Sequence, residues 1–283
     1  MTPSDPSPAT ARLPLSGGTV IPQLGFGVFQ VPPGAPTRQS VAWALQGGYR
    51  HVDTAAMYQN EADVGEAIRA SGIPREEIFV TTKMWYTEHG FDSAQAAARA
   101  SLRRLGLPSV DLYLIHWPRA PSPALRLDSW RALLALRGAG LCRAVGVANY
   151  TVRHLEEIRA AGLPMPEVDQ IELHPFVFDP GLADYARRHR IVLEAWAPLT
   201  RGRRLDEPVV RTIAARHGRT PAQILLRWGI EHGFVVLPKS VHRERIEENA
   251  RIFDFSLPAP DMAALDRLAD GGRVGAWNPA EIP

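Results

Sequence analysis

Lysine is nearly absent from this chain of 283 residues: of 32 basic residues, only Lys83 and Lys239 are not arginine. A sequence that writes Arg for ordinary surface cations keeps Lys where a planar, permanently charged guanidinium cannot serve. The ammonium is compact, flexible and able to tune a neighbour's proton affinity in a confined space. Cysteine is equally scarce. The single Cys142 excludes an intrachain disulfide and suits a reducing compartment. No run approaches the roughly 18 apolar residues that a membrane span needs. Net charge is only +2, which gives no reason to expect nucleic acid or an anionic membrane as partner. Scattered arginines in helical patterns read as solvated faces. Residues 1–12 are rich in Pro, Ser and Thr without an apolar signal core, and read as a flexible tail preceding one barrel body over 13–283. These absences point to a soluble cytoplasmic protein, a monomer or a dimer, whose partner is a small molecule.

What is present is a rhythm. Apolar residues make up 45% and charged residues 22% of the chain, enough for a substantial core. Short β-branched runs at Gln23–Gly27, Tyr49–Asp53, Ile78–Lys83, Val110–Trp117, Arg143–Asn149, Val168–Leu173, Ile191–Trp196 and Phe234–Lys239 alternate with amphipathic stretches. Among the latter are Glu61–Ser71, Ala94–Leu105, Ser129–Ala139, Thr151–Ala160, Leu182–His189 and Pro221–His232. Alternating strands and helices call for a parallel sheet covered by helices. Eight such strands predict an α/β fold of the (β/α)8 TIM-barrel type. The competing doubly wound sheet needs a Gly-rich turn opening a helix. Gly25-Phe26-Gly27 lacks the third glycine and runs into Pro32-Pro33-Gly34 instead.

The expected strands end in polar or aromatic residues: Asp53, Lys83, His116, Asn149, Gln170, Trp196 and Lys239. In a barrel those ends converge on the face that carries the active site. One buried polar group is easily explained by a local partner, but seven at one rim are not. Tyr58 follows Asp53 closely enough to fold back over the rim. A phenol with its ordinary pKa of about 10 exchanges protons poorly near neutrality, and an adjacent ammonium lowers that value. Asp53, Lys83 and Tyr58 thus predict a tuned proton donor, with His116 donating to a carbonyl oxygen. A rival reading places His51, Asp53, His116 and His174 around a metal, with Lys83 as a modified bridging ligand, as in a barrel hydrolase. A second rival is a ligand-binding subunit without catalysis.

The string Gly48-Tyr49-Arg50-His51-Val52-Asp53-Thr54-Ala55-Ala56-Met57-Tyr58, then Asn60-Glu61 and Val64-Gly65, resembles the aldo-keto reductase signature. So do Val110 through Pro118, Asp169-Gln170-Ile171-Glu172-Leu173-His174-Pro175, and Leu237-Pro238-Lys239-Ser240-Val241 with Arg245, Glu248 and Asn249. Gly27-Val28-Phe29, Phe253-Asp254-Phe255 and Trp196 are most similar to bacterial 2,5-diketo-D-gluconate reductases. The resemblance implies NADPH-dependent reduction of aldehydes or ketones, diketo-sugar acids and methylglyoxal-type compounds among them, without metal. It makes Asp53, Tyr58, Lys83 and His116 the catalytic tetrad. It places Trp196 under the nicotinamide, Asn149 and Gln170 on the carboxamide, and Lys239, Ser240 and Arg245 on the 2′-phosphate. Glu248 and Asn249 would meet the adenine, and Gly27, Val28, Phe29, Ala197, Pro198, Leu199 and Val241 would complete the cofactor contacts. Phe29, Trp85, Trp117 and Trp277 would join His116 around the substrate. Two departures stand out: Ala148 replaces the usual Ser before Asn149, removing one carboxamide anchor, and Ala197 stands where many relatives have Ser or Gly.

Overall fold

A computed structural model describes residues 11–283. The tail expected over residues 1–12 therefore falls largely outside the described residues. Its last member, Arg12, opens a strand: β1 (Arg12–Pro14) pairs antiparallel with β2 (Val20–Pro22), Leu13 opposite Ile21. Eight further strands follow in chain order: β3 (Phe26–Gly27), β4 (His51–Asp53), β5 (Phe79–Met84) and β6 (Val110–Ile115). β7 (Cys142–Ala148), β8 (Val168–Glu172), β9 (Val192–Trp196) and β10 (Val235–Leu237) complete the set. They lie side by side in chain order, every neighbouring pair parallel. A bridge from Leu24 to Val236 and bonds from Gly25 N to Val236 O at 2.9 Å and Gly27 N to Pro238 O at 3.1 Å bring the first strand against the last. Helices alternate with the strands, and the expected (β/α)8 barrel is what forms.

The first strand is shorter than the Gln23–Gly27 run suggested, because it is pressed against β10. A Cβ at Gly25 would lie 2.5 Å from Leu237 Cδ2 and 2.6 Å from His51 Nδ1, so only glycine fits that seam. Helix boundaries follow local capping. The helix expected over Ser129–Ala139 starts earlier, at Pro123, because Ser122 Oγ accepts the Leu125 N–H and proline suits the first turn. Among the described residues no helix is long and apolar enough to cross a membrane.

Alternation along the strands separates two cores. Leu112, Leu114, Ala144, Ala148, Val168, Val235 and Leu237 fill the barrel interior, joined there by Leu15 and Ile21 of the β1–β2 hairpin. Outward-facing Val80, Tyr113, Ile115, Val145 and Val147 pack beneath helices that supply Trp130, Leu133 and Trp228. With one end of the interior filled by apolar side chains, the polar residues at the strand C-termini have the other end to themselves.

Candidate active site

Asp53 ends β4 and Lys83 lies near the end of β5, two neighbouring strands in register, so their side chains meet inside the rim. Lys83 Nζ donates to Asp53 Oδ1 at 2.7 Å, to Oδ2 at 2.8 Å and to Thr54 O at 2.9 Å. These three acceptors match the ammonium's three protons. Burial opposes the Lys83 charge, but Asp53, Tyr58 and Glu194 outweigh it and hold the ammonium above its ordinary value. Burial pushes Asp53 up while Lys83 and Gln170 pull it back; with both oxygens on the ammonium, the pair is ionic.

Tyr58 closes a 3-10 turn, Ala56–Tyr58, just beyond β4. Buried Asn60 fixes that turn: its Oδ1 accepts from Thr54 Oγ1 at 2.8 Å, and its Nδ2 donates to Val28 O at 3.1 Å. The phenol ring stands 5.1 Å from Lys83 Nζ, between Phe29 at 5.0 Å and His116 at 5.7 Å. The downward pull expected from Lys83 is present, but burial exceeds it and the Tyr58 hydroxyl is pushed up to about 12. The phenol accordingly keeps its proton at neutral pH, the state a proton donor requires. Burial, then the Lys83 charge, pushes His116 well below its ordinary value, so the imidazole is neutral. Its Nδ1 has no partner among the described residues, and its ring faces the same cavity.

Asn149 takes the left-handed conformation, φ 62°, a turn that Asn tolerates better than most residues. Its Nδ2 donates to His116 O and its Oδ1 accepts from Trp196 Nε1, both at 2.9 Å. It thereby braces the indole and the strand that carries His116. Gln170 Nε2 donates to Asp53 Oδ2 at 2.8 Å and to Glu194 Oε2 at 2.6 Å. Both amide protons are engaged inside the barrel.

These residues line one cavity of about 920 Å³. Asp53, Tyr58 and His116 lie on its wall with Gly27, Phe29, Asn149, Gln170 and Trp196. Ala197, Pro198 and Leu199 border it as well. Lys239, Ser240, Val241, Arg245, Glu248 and Asn249 form its far end. Among the described residues neither Lys239 nor Arg245 is paired with a carboxylate: Glu248, three residues from Arg245, accepts from Thr220 Oγ1 at 2.8 Å instead. At the other end Trp85, Trp117 and Trp277 converge. Trp277 stacks on Trp85 at 6.0 Å, meets Trp117 edge-on at 5.1 Å, and Trp85 lies 5.1 Å from the His116 ring.

One expectation needs correction. Val28 does not line the cavity; alternation turns its side chain into the core, fully buried, leaving only its backbone near the site. Ala148, the departure before Asn149, sits in the apolar barrel interior. Reading the sequence missed Leu205, Ala222 and His242 on the wall, which carry no motif, and gave no role to Met57 within the signature or to Arg201, which borders the cavity 5.5 Å from the Phe29 ring. Its neighbour Arg204 is structural, paired with Glu207 and Asp270. Among the described residues no three His, Cys, Asp or Glu side chains converge to hold a metal. His51 bonds Thr81 Oγ1 at 2.9 Å, and His174 lies 3.3 Å from Glu172. The ligand set of a metallohydrolase is not assembled.

A parallel eight-stranded barrel with a buried ammonium–carboxylate pair beneath a phenol defines the class of barrel oxidoreductases. The sequence profile of the Aldo/keto reductase family matches residues 24–270, and the chain belongs to that family. Its chemistry is oxidoreduction at carbonyl groups. Over 268 residues the chain is 45% identical to a glyoxal reductase of Bacillus subtilis, covering 95% of this chain and 96% of that one. The crystal structure of an aldo/keto reductase from Brucella melitensis superposes with a TM-score of 0.86 at 44% identity, covering 91% of this chain and 98% of that one. A Bombyx mori aldo-keto reductase in complex with NADP superposes with a TM-score of 0.88 at 32% identity, covering 96% and 97%.

Proposed function

We propose that this protein reduces aldehyde or ketone carbonyls with NADPH, using Tyr58 as proton donor. The observation that carries the reading is the Lys83–Asp53 pair lying under Tyr58, with neutral His116 across the same cavity. The residues present fit the cofactor. Lys239 and Arg245, two cations without acid partners among the described residues, line the cavity together with Ser240, apt donors for a phosphate dianion. Trp196 offers an indole face held by Asn149, suited to an aromatic ring. Gln170, both amide protons engaged elsewhere, has only its oxygen left to offer, an acceptor for a carboxamide N–H. When bound, NADPH supplies the hydride.

The protein's own part is to hold and deliver a proton. His116 donates to the carbonyl oxygen and orients it towards Tyr58. The phenol gives that oxygen its proton, and the Lys83 charge stabilises the phenolate left behind. The aromatic mouth formed by Phe29, Trp85, Trp117 and Trp277 favours planar, weakly polar carbonyl compounds. The kinship with a glyoxal reductase supports small dicarbonyls of the methylglyoxal type. Diketo-sugar acids, towards which the Gly27-Val28-Phe29 segment leans, belong in the same trial. The test is a panel of methylglyoxal, aromatic aldehydes and diketo-sugar acids followed by NADPH absorbance. Tyr58→Phe should still quench tryptophan fluorescence on binding NADPH while losing roughly 10²- to 10⁴-fold in kcat. Unchanged turnover would end the proton-donor assignment.

A further inference from the structure

Glu194 sits mid-strand in β9, fully buried within the barrel, where the sheet pattern calls for an aliphatic side chain. Its Oε2 accepts from Gln170 Nε2 at 2.6 Å, and the same nitrogen donates to Asp53 Oδ2 at 2.8 Å. One amide thus bridges two carboxyl groups, and two negative charges placed so closely in a low-dielectric interior disfavour each other. Among the described residues Glu194 Oε1 has no hydrogen-bond partner; it lies 3.7 Å from His51 Nε2, which is already bonded to Thr81. The groups facing this carboxyl are His51 and Asp53 from β4, Lys83 from β5 and Tyr58 from the loop beyond β4; β10 sets apolar Val235 beside it.

We propose that Glu194 is a positioning residue of the proton donor: linked through Gln170 and Asp53 to Lys83, it sets how much negative charge lies behind the ammonium, and so how readily Tyr58 releases its proton. This inference rests on the reductase reading above. With Glu194 protonated, Asp53 alone balances Lys83. Once Glu194 loses its proton, a second negative charge joins the cluster, tightens the hold of Lys83 on its protons and makes the phenol a weaker acid. Burial, then the Asp53 charge, pushes the Glu194 carboxyl up to about 8. His51 offers no compensating charge, since burial and Lys83 push it down to about 3.

Two measurements test this on the full chain. Single-turnover NADPH oxidation with methylglyoxal, at saturating NADPH, should slow several-fold in the wild type as pH rises through about 8. Glu194→Gln keeps the shape and the acceptor for Gln170 but cannot ionise, so its rate should stay at the wild-type low-pH level throughout. Urea unfolding without cofactor supplies a second readout. A carboxyl raised by folding binds its proton more tightly in the folded state, so wild-type stability falls as pH climbs from the ordinary carboxylate range towards about 8. The variant's urea midpoint should fall less over that window. Superimposable rate profiles, or a loss in the variant by one factor at every pH, overturn the proposal. Should the variant not fold, the wild type still decides, since a rate flat across the window overturns it as well. A wild type that oxidises no NADPH at any pH sinks the reductase reading and this inference together; an active wild type with a pH-insensitive rate sinks only this one.

Discussion

Lys83 directs its protons to Asp53 and the Thr54 carbonyl, so in this arrangement it acts on Tyr58 chiefly through its charge, with hydrogen bonding the smaller part. Removing one partner of such a buried pair strands the other, which typically costs about 3–5 kcal/mol. Substitutions at Asp53 or Lys83 therefore mix lost stability with lost chemistry, whereas Tyr58→Phe isolates the proton. The second lysine gives a cleaner experiment. Lys239 is exposed at the far end of the cavity and bonded to no carboxylate among the described residues, so replacing it disturbs little else. Lys239→Met should weaken NADPH by roughly 1.5–3 kcal/mol, the range for a hydrogen bond to a charged group, and leave NADH nearly unchanged. Equal losses for both, by fluorescence titration, would remove the 2′-phosphate role. Both lysines were legible because the chain uses the residue so sparingly. Glu194 was not: a lone acid within a β-branched strand carries no motif, and only the fold shows that Gln170 joins it to Asp53.

At the scale of elements, the segment near the C-terminal end, Val274 to Trp277, is held by a strand rather than by its own hydrogen bonds. Glu172 on β8 is buried and accepts from the backbone N–H of Val274 and, at 3.3 Å, of Gly275. Gly275 permits the approach, since a Cβ there would lie 2.7 Å from Trp196 Cη2. This clamp delivers Trp277 to the tryptophan cluster at the cavity mouth. Glu172→Ala should release the segment and raise KM for an aromatic aldehyde roughly tenfold, the worth of about one aromatic contact, with kcat little changed. Equal effects on methylglyoxal and on the aromatic substrate would show that the strand, not the aromatic wall, had been disturbed. The Glu172 motif was visible in the sequence, but its grip on a segment a hundred residues away was not. Apart from the first strand, strand bounds were legible to within two residues. The first strand was overestimated because the seam with β10 admits only glycine at position 25.

Over the whole molecule, the cavity draws on both ends of the chain: Gly27 and Phe29 near the start, Lys239 to Asn249 beyond the last strand, Gly275 to Trp277 further on. A ligand that bridges these segments should stabilise the barrel as one body. NADPH at a hundred times its Kd should add about 2.7 kcal/mol and raise Tm by several degrees. In Lys239→Met the advantage of NADPH over NADH in this shift should shrink, with Arg245 and Ser240 keeping part of it; an undiminished advantage would place its phosphate elsewhere. Closure matters to this argument. The bonds from Gly25 and Gly27 to the β10 edge hold the first and last parts of the wall in one geometry, so the site is built before a cofactor arrives.

The amino-acid order alone determined the strand and helix rhythm, the polar residues at strand ends and which residue is proposed to transfer the proton, because periodicity and residue chemistry are local properties written in neighbouring positions. Tertiary structure decided what those residues do to one another. It set the sign of the net shift at Tyr58, where burial exceeds the pull of Lys83. It turned Val28 inward, left Lys239 and Arg245 without acid partners among the described residues, and put Glu194 behind Asp53. Desolvation and Coulomb interaction depend on distances between residues far apart in the chain, and those distances exist only once the barrel has closed.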